Sequence, residues 1–229
     1  MVLNERQTNI LKLLSKKKRM SVKEIAAQFY VSEMTVRRDL KELEKSGYLQ
    51  RYNGGAVYSD KISPPFFARK LLHSKEKDIL TKKAKKYLHD SLCVFIDSSS
   101  TCIYIIPLLA EYKDIRIITN SLPSAQLAAK YHIPCILAGG ECYERDMCTV
   151  GSYTDEFLQN INVDIAFFSS CAISDDGIIS DIDCAQTSVR RTVMQNSHKN
   201  LFFFSEEKLH KKCVYTLCRA EDADEIIYI

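Results

Sequence analysis

The run Ser32-Glu33-Met34-Thr35-Val36-Arg37-Arg38-Asp39-Leu40-Lys41-Glu42-Leu43, followed by Gly47, decides the architecture of the amino-terminal part of the chain. Ser32 is a hydroxyl cap before a helix expected over Glu33 to Ser46, and Gly47 suits the left-handed residue that closes it. Val36, Leu40 and Leu43 fall at i, i+4 and i+7, so they share one face that must be buried. Met34, Thr35, Arg37, Arg38 and Lys41 are left outside. Upstream, Ser21-Val22-Lys23-Glu24 has the spacing of a capping box, and Val22, Ile25, Ala26 and Phe29 give a short helix one apolar side. A still earlier helix starts at Glu5 and carries Ile10, Leu11, Leu13 and Leu14. Two short helices joined by a tight turn, the second amphipathic, make a helix-turn-helix.

Past Gly47, Tyr48 to Tyr52 alternates like a strand, Asn53-Gly54 is a strong two-residue hairpin signal, and Ala56 to Tyr58 returns. A hairpin directly after such a helix is a wing, with Arg51 placed to touch a sugar-phosphate backbone. A solvated charged face would explain a row of polar residues. It would not explain why the row is mostly cationic and begins with a hydroxyl. Helix-end amides and hydroxyls hold phosphates, and guanidinium forks suit phosphates and guanine edges. The expected DNA contacts are therefore Ser32, Thr35, Arg37, Arg38, Lys41 and Arg51.

Charge and cysteine divide the chain at the same place. Residues 1–58 hold twelve Lys/Arg against six Asp/Glu, whereas the remainder is slightly acidic within a net charge of +3. A basic first segment implies a polyanionic partner. All nine cysteines follow Tyr58, and no two have Cys-x-x-Cys spacing, which speaks against a zinc or redox motif. Free thiols in a reducing cytoplasm are expected. No run reaches the ~18 apolar residues of a membrane span, and the first residues do not resemble a secretory leader. No cofactor, metal or membrane partner is expected.

Residues 59–74 read as a linker stiffened by Pro64-Pro65. Phe66, Phe67 and Leu71-Leu72 give it an apolar stripe, which packs on its own domain or serves a dimer contact. From Ile79 onward, short apolar runs alternate with helical segments. Strands are expected at Leu92–Ile96, Ile115–Ile118, Ile133–Leu137, Val163–Phe168, Leu201–Phe204, Val214–Leu217 and Ile226–Ile229. This alternation predicts a doubly wound, largely parallel α/β domain over 75–229. Ligands of such sheets sit beyond the carboxyl ends of the strands. The loops there are Asp97-Ser98-Ser99-Ser100-Thr101, Thr119-Asn120-Ser121 and Ala138-Gly139-Gly140, whose hydroxyls, amides and glycines suit a polar small molecule.

Met1–Tyr58 resembles the DNA-binding domain of DeoR-type bacterial transcription regulators. The resemblance is carried by Glu5-Arg6-Gln7, Ile10, Leu13-Leu14, Val31-Ser32-Glu33, Thr35-Val36-Arg37-Arg38-Asp39-Leu40, Leu43, Gly47, Arg51 and Gly54-Gly55-Ala56. It implies operator contacts from Ser32, Thr35, Arg37 and Arg38, with Asp39 holding an arginine in place. The remainder resembles the DeoR sensor domain, a fold related to ribose-5-phosphate isomerase. The matches there are Glu76-Lys77, Asp97-Ser98, Ser100-Thr101, Thr119-Asn120-Ser121, Gly139-Gly140, Val150-Gly151, Asp176-Gly177, Arg190-Arg191 and Lys208. The chain departs from the family pattern at Ser99, where glycine is usual, at Gln186, where an acid is common, and at Ser205-Glu206-Glu207 before Lys208.

The resemblance implies a repressor of a carbohydrate-metabolism operon that binds double-stranded operator DNA as a homodimer or homotetramer. Its effector would be a phosphorylated sugar or related anionic metabolite, held by the 97–101 and 119–121 turns, Gly139, Gly140 and Lys208. Two other classes fit parts of the sequence. A sugar-phosphate isomerase needs a general base, and Asp97 is the only carboxylate in the three polar loops. A thiol switch would use Cys102 or Cys171, which lie next to those loops. A non-enzymatic regulator is the expectation.

Overall fold

The computed structural model describes residues 4–58 and 65–228, in two compact units, Met1–His73 and Ser74–Ile229. Residues 59–64, including Pro64 of the expected linker, and Ile229 of the expected last strand lie outside the described residues.

The first unit runs α1 (Glu5–Lys17), β1 (Arg19–Ser21), α2 (Val22–Phe29), α3 (Glu33–Lys45), β2 (Gln50–Tyr52), β3 (Gly55–Val57) and α4 (Phe66–Leu71). Both capped helices start where the hydroxyls stand: Ser21 and Glu24 form the reciprocal capping box, and Ser32 accepts from the Thr35 amide. Ile10, Leu14, Ile25, Val36, Leu40 and Leu43 close over one core. The wing has three strands in the order β1-β3-β2, all antiparallel. Strand β1 has no signal in its own sequence, because Arg19–Ser21 is too short to show a period. Gly55 is required where these strands meet, since a Cβ there would stand 2.3 Å from the Met20 carbonyl oxygen. Helix α4 lies against α1, with Phe66 and Ala68 buried and Phe67 partly exposed. Of this helix, Ala68 joins the core of the first unit.

The second unit contains α5 (Ser74–Lys83), β4 (Cys93–Ile96), α6 (Ile106–Leu109), β5 (Arg116–Thr119), α7 (Leu122–Lys130), β6 (Cys135–Leu137), β7 (Glu141–Tyr143) and β8 (Cys148–Val150). It continues with α8 (Ser152–Gln159), β9 (Val163–Phe168), β10 (Ala172–Ile173), β11 (Ile178–Asp181), α9 (Cys184–Gln195), β12 (Ser197–Phe204), β13 (Tyr215–Arg219) and β14 (Glu225–Tyr228). Six strands form one parallel sheet in the order β14-β12-β9-β4-β5-β6. Its central strands are covered on both faces, which is why they read as near-continuous apolar runs. Phe95, Phe167, Phe168, Phe202, Phe203 and Phe204 are all fully buried, and Phe168 stacks on Phe202 at 5.1 Å.

Val214–Leu217 departs from the expected sheet. Strand β13 instead pairs antiparallel with β11, which in turn pairs with β10, and β7 and β8 form a separate hairpin. Those strands are only two to five residues long and partly polar, so their sequences lack the long apolar run that marks the main sheet. Chain order reverses between β4 and β9, the switch point beyond whose strand ends ligands of such sheets bind.

Candidate functional site

The outer face of α3 is sorted by its hydrogen bonds. The Ser32 hydroxyl accepts from the Thr35 amide at 3.2 Å and lies 3.0 Å from the Thr35 hydroxyl, so both are occupied in the cap. Arg37 donates to Glu33 one turn back at 2.7 Å. Arg38 and Lys41 are exposed and hold no partner among the described residues. Asp39 faces inward, takes Arg6 through two donors at 2.6 and 3.3 Å, and its hydrogen bond holds the Arg6 guanidinium above its usual pKa. The arginine positioned by Asp39 is therefore Arg6 of α1, not a neighbour on α3. On the wing, the Arg51 amide donates to Glu44 at 2.8 Å. Arg37, Arg51, Tyr52 and Asn53 line a cleft of about 200 Å³ between α3 and the wing.

In the second unit, the turns after β4, β5 and β6 stand at the carboxyl ends of three adjacent parallel strands. Asp97 is buried and accepts from the Ser99 amide, the Ser169 amide and Arg190. Arg190 crosses from α9 and binds Asp97 and Asp181, each at 3.0 Å. Burial alone would lower the pKa of Arg190, but Asp181 and Asp97 outweigh it and hold the guanidinium above its usual range. Ser98 donates to Gln186 at 3.0 Å, and Gln186 in turn donates to Asp146. Ser100 accepts from Lys77 at 3.0 Å. The Ser99 hydroxyl takes the Cys102 amide, and Ser99 has no positive φ, so its backbone does not require glycine. Thr101 is buried beside it.

At the second turn, Thr119 donates to the Ile96 carbonyl and accepts from the Ser121 amide, while Ser121 caps α7. Asn120 donates to the Thr149 carbonyl, and its own amide oxygen is buried without a partner. Gly139 and Gly140 are both exposed. A Cβ at Gly140 would stand 2.0 Å from the Thr154 hydroxyl, so that glycine serves the packing of α8.

Lys208 reaches the switch point. Its ammonium donates to the Ser169 hydroxyl at 2.8 Å, and Ser169 donates onward to the Phe203 carbonyl. No carboxylate pairs with Lys208 among the described residues. Glu206 and Glu207 point to the exterior while Ser205 is buried. The site residues not anticipated are Ser169, Ser170 and Asp181. Ser170 is fully buried, and its hydroxyl has no partner among the described residues. A signal for the serines existed: Val163–Phe168 runs into Ser169-Ser170 just as Val94–Ile96 runs into Asp97-Ser98.

The buried thiols are held protonated. Burial pushes Cys148, Cys171 and Cys218 up to about 12 and Cys102 well above the ordinary range. Nucleophilic attack needs the thiolate. With iodoacetamide at pH 7.5, mass spectrometry of the native chain should therefore show label first on the exposed Cys142 and Cys184. Early labelling of Cys102 or Cys171 would contradict this order.

A winged helix-turn-helix unit joined to an α/β unit with polar turns at its switch point is the architecture of a ligand-responsive DNA-binding regulator. The "DeoR-like helix-turn-helix domain" model matches residues 6–62, and the "DeoR C terminal sensor domain" model matches residues 72–228. The chain belongs to the DeoR family of transcription regulators. It is 27% identical to the glycerol-3-phosphate regulon repressor of Escherichia coli, over 93% of this chain and 85% of that one. It is 29% identical to the lactose phosphotransferase system repressor of Staphylococcus aureus, over 98% and 91%. Among solved structures, the ribose 5-phosphate isomerase of Methanocaldococcus jannaschii aligns with a TM-score of 0.43 and 20% identity, over 59% of this chain and 54% of that one. No helix among the described residues is long and apolar enough to cross a membrane.

Proposed function

We propose that this regulator is a cytoplasmic repressor of a carbohydrate operon, released from or held on its operator by a phosphorylated sugar or related anionic metabolite. Residues 1–58 read DNA and residues 75–229 sense the metabolite. The observation that carries the DNA half is the pair Arg38 and Lys41, exposed and unpartnered on the side of α3 opposite its core residues. Ser32, Thr35 and Arg37 frame that face, and Arg51 extends it onto the wing. One winged unit offers few base contacts, so the protein acts as a symmetric pair or a pair of pairs on a repeated site.

The sensing half rests on Lys208. Among the described residues the half-buried Lys208 ammonium bonds to a hydroxyl and to no carboxylate, so its charge is available to an anion, and Ser169, its partner, adjoins the turn that begins at Asp97. The two relatives named above regulate a glycerol-3-phosphate regulon and a lactose phosphotransferase system, which supports the same ligand class. Catalysis is disfavoured because Asp97 already accepts from three protein donors and is not poised as a base.

The test has two arms. Duplexes enriched from a random pool by the wild-type chain are titrated in gel shifts, where Arg38→Ala should weaken binding by about 1–3 kcal/mol. Unchanged affinity and specificity would remove Arg38 from the interface. A thermal-shift screen of phosphorylated sugars and sugar alcohols should yield a compound that raises the melting midpoint and alters the gel shift. Turnover of any of these compounds would instead favour the isomerase reading.

A further inference from the structure

The first turn of α3 contains four side chains, and the structure accounts for three of them. Glu33 is engaged by Arg37, the Thr35 hydroxyl by Ser32, and Val36 lies in the core. Met34 is the fourth, 72% exposed. Exposed single methionines are ordinary on protein surfaces, so position rather than exposure carries the argument. Met34, Arg38 and Lys41 are spaced i, i+4 and i+7 and form one stripe. The core stripe Val36, Leu40 and Leu43 begins two residues later, roughly 200° further round the helix. Met34 is thus the amino-terminal member of the row that faces directly away from the core.

Resting on the reading that this row enters the major groove, we infer that Met34 reads sequence by packing against the 5-methyl group of a thymine. Residues at the amino end of a recognition helix reach the base edges. Ser32 and Thr35 hydrogen-bond one another and Arg37 pairs with Glu33, so Met34 is the side chain of that turn that offers an extended apolar contact. The thymine methyl is the apolar group displayed in the major groove. A thioether on an unbranched chain adapts its shape to such a surface. Arg38, one turn on, then supplies the polar contact to an adjacent base or phosphate. Met34 accordingly sets a preference for thymine at one position per half-site.

The test compares wild type with Met34→Ala on a duplex enriched from a random pool by the wild-type chain. The same duplex is also made with deoxyuridine for thymidine, one position at a time. Deoxyuridine keeps the Watson–Crick and groove hydrogen-bonding groups and removes only the methyl. Wild type should lose roughly three- to tenfold in affinity at one position of each half-site, while Met34→Ala binds both duplexes equally and near the wild-type value on the uracil form. The inference fails if wild type ignores every replacement, or if Met34→Ala stays as sensitive as wild type. Failure of the pool to enrich any sequence would sink the major-groove reading together with this one. Because Met34 is exposed, unfolding is not expected to confound the variant, and equal melting midpoints check it.

Discussion

Arg190→Met should destabilise the second unit by about 3–5 kcal/mol, the usual cost of removing one partner from a buried ion pair. Asp97 and Asp181, both buried, would lose the cation they share, and Gln186 would lose the hydrogen bond it accepts from the same guanidinium. Methionine preserves much of the volume, so the loss reports charge and hydrogen bonding rather than a cavity. For a chain of this size, each kcal/mol moves the midpoint by roughly 2–4 °C, giving a fall of roughly 6–20 °C. Thermal unfolding followed by circular dichroism checks it. Adding Asp97→Asn and Asp181→Asn to the same chain should recover part of the loss, because neutral amides do not need the cation. A fall under about 1 kcal/mol would mean that water or neighbouring groups replace Arg190 cheaply.

Lys208→Ala should weaken binding of the strongest compound from the phosphorylated-sugar screen by about 1.5–3 kcal/mol, or roughly ten- to a hundredfold. Among the described residues the ammonium bonds only to the Ser169 hydroxyl, so removing it strips a charge-assisted donor without orphaning a described carboxylate. The protein itself should therefore remain nearly as stable as wild type. That separates this residue from Arg190, whose loss is felt in folding. Calorimetric titration into both proteins decides the matter. Equal affinity would place the anion elsewhere than beside Lys208 and Ser169.

The contrast between those two residues shows how the site became legible. Helix caps at Ser21 and Ser32 and the rows on α3 depend on neighbours within a turn, so the residues alone specify them. The hydroxyl-rich turn at 97–101 was likewise visible, because an apolar run ending in polar residues marks the carboxyl end of a buried strand. The roles inside that turn were not visible. Asp97 meets Arg190 across 93 residues of chain, and Lys208 meets Ser169 across 39. Gly140, grouped with the ligand loops by sequence, proves to accommodate Thr154.

Local periodicity and capping thus determined by themselves that a basic helix-turn-helix precedes a parallel α/β sheet, since both signals are read over a few residues. Only the tertiary structure decided that β9 lies beside β4, which sets Ser169 against Asp97 at the switch point. The strand order also brings Lys208 there and takes β13 out of the main sheet to pair with β11. Strand neighbours are chosen by how whole faces bury against one another, a property of the assembled layers that no single run of residues encodes.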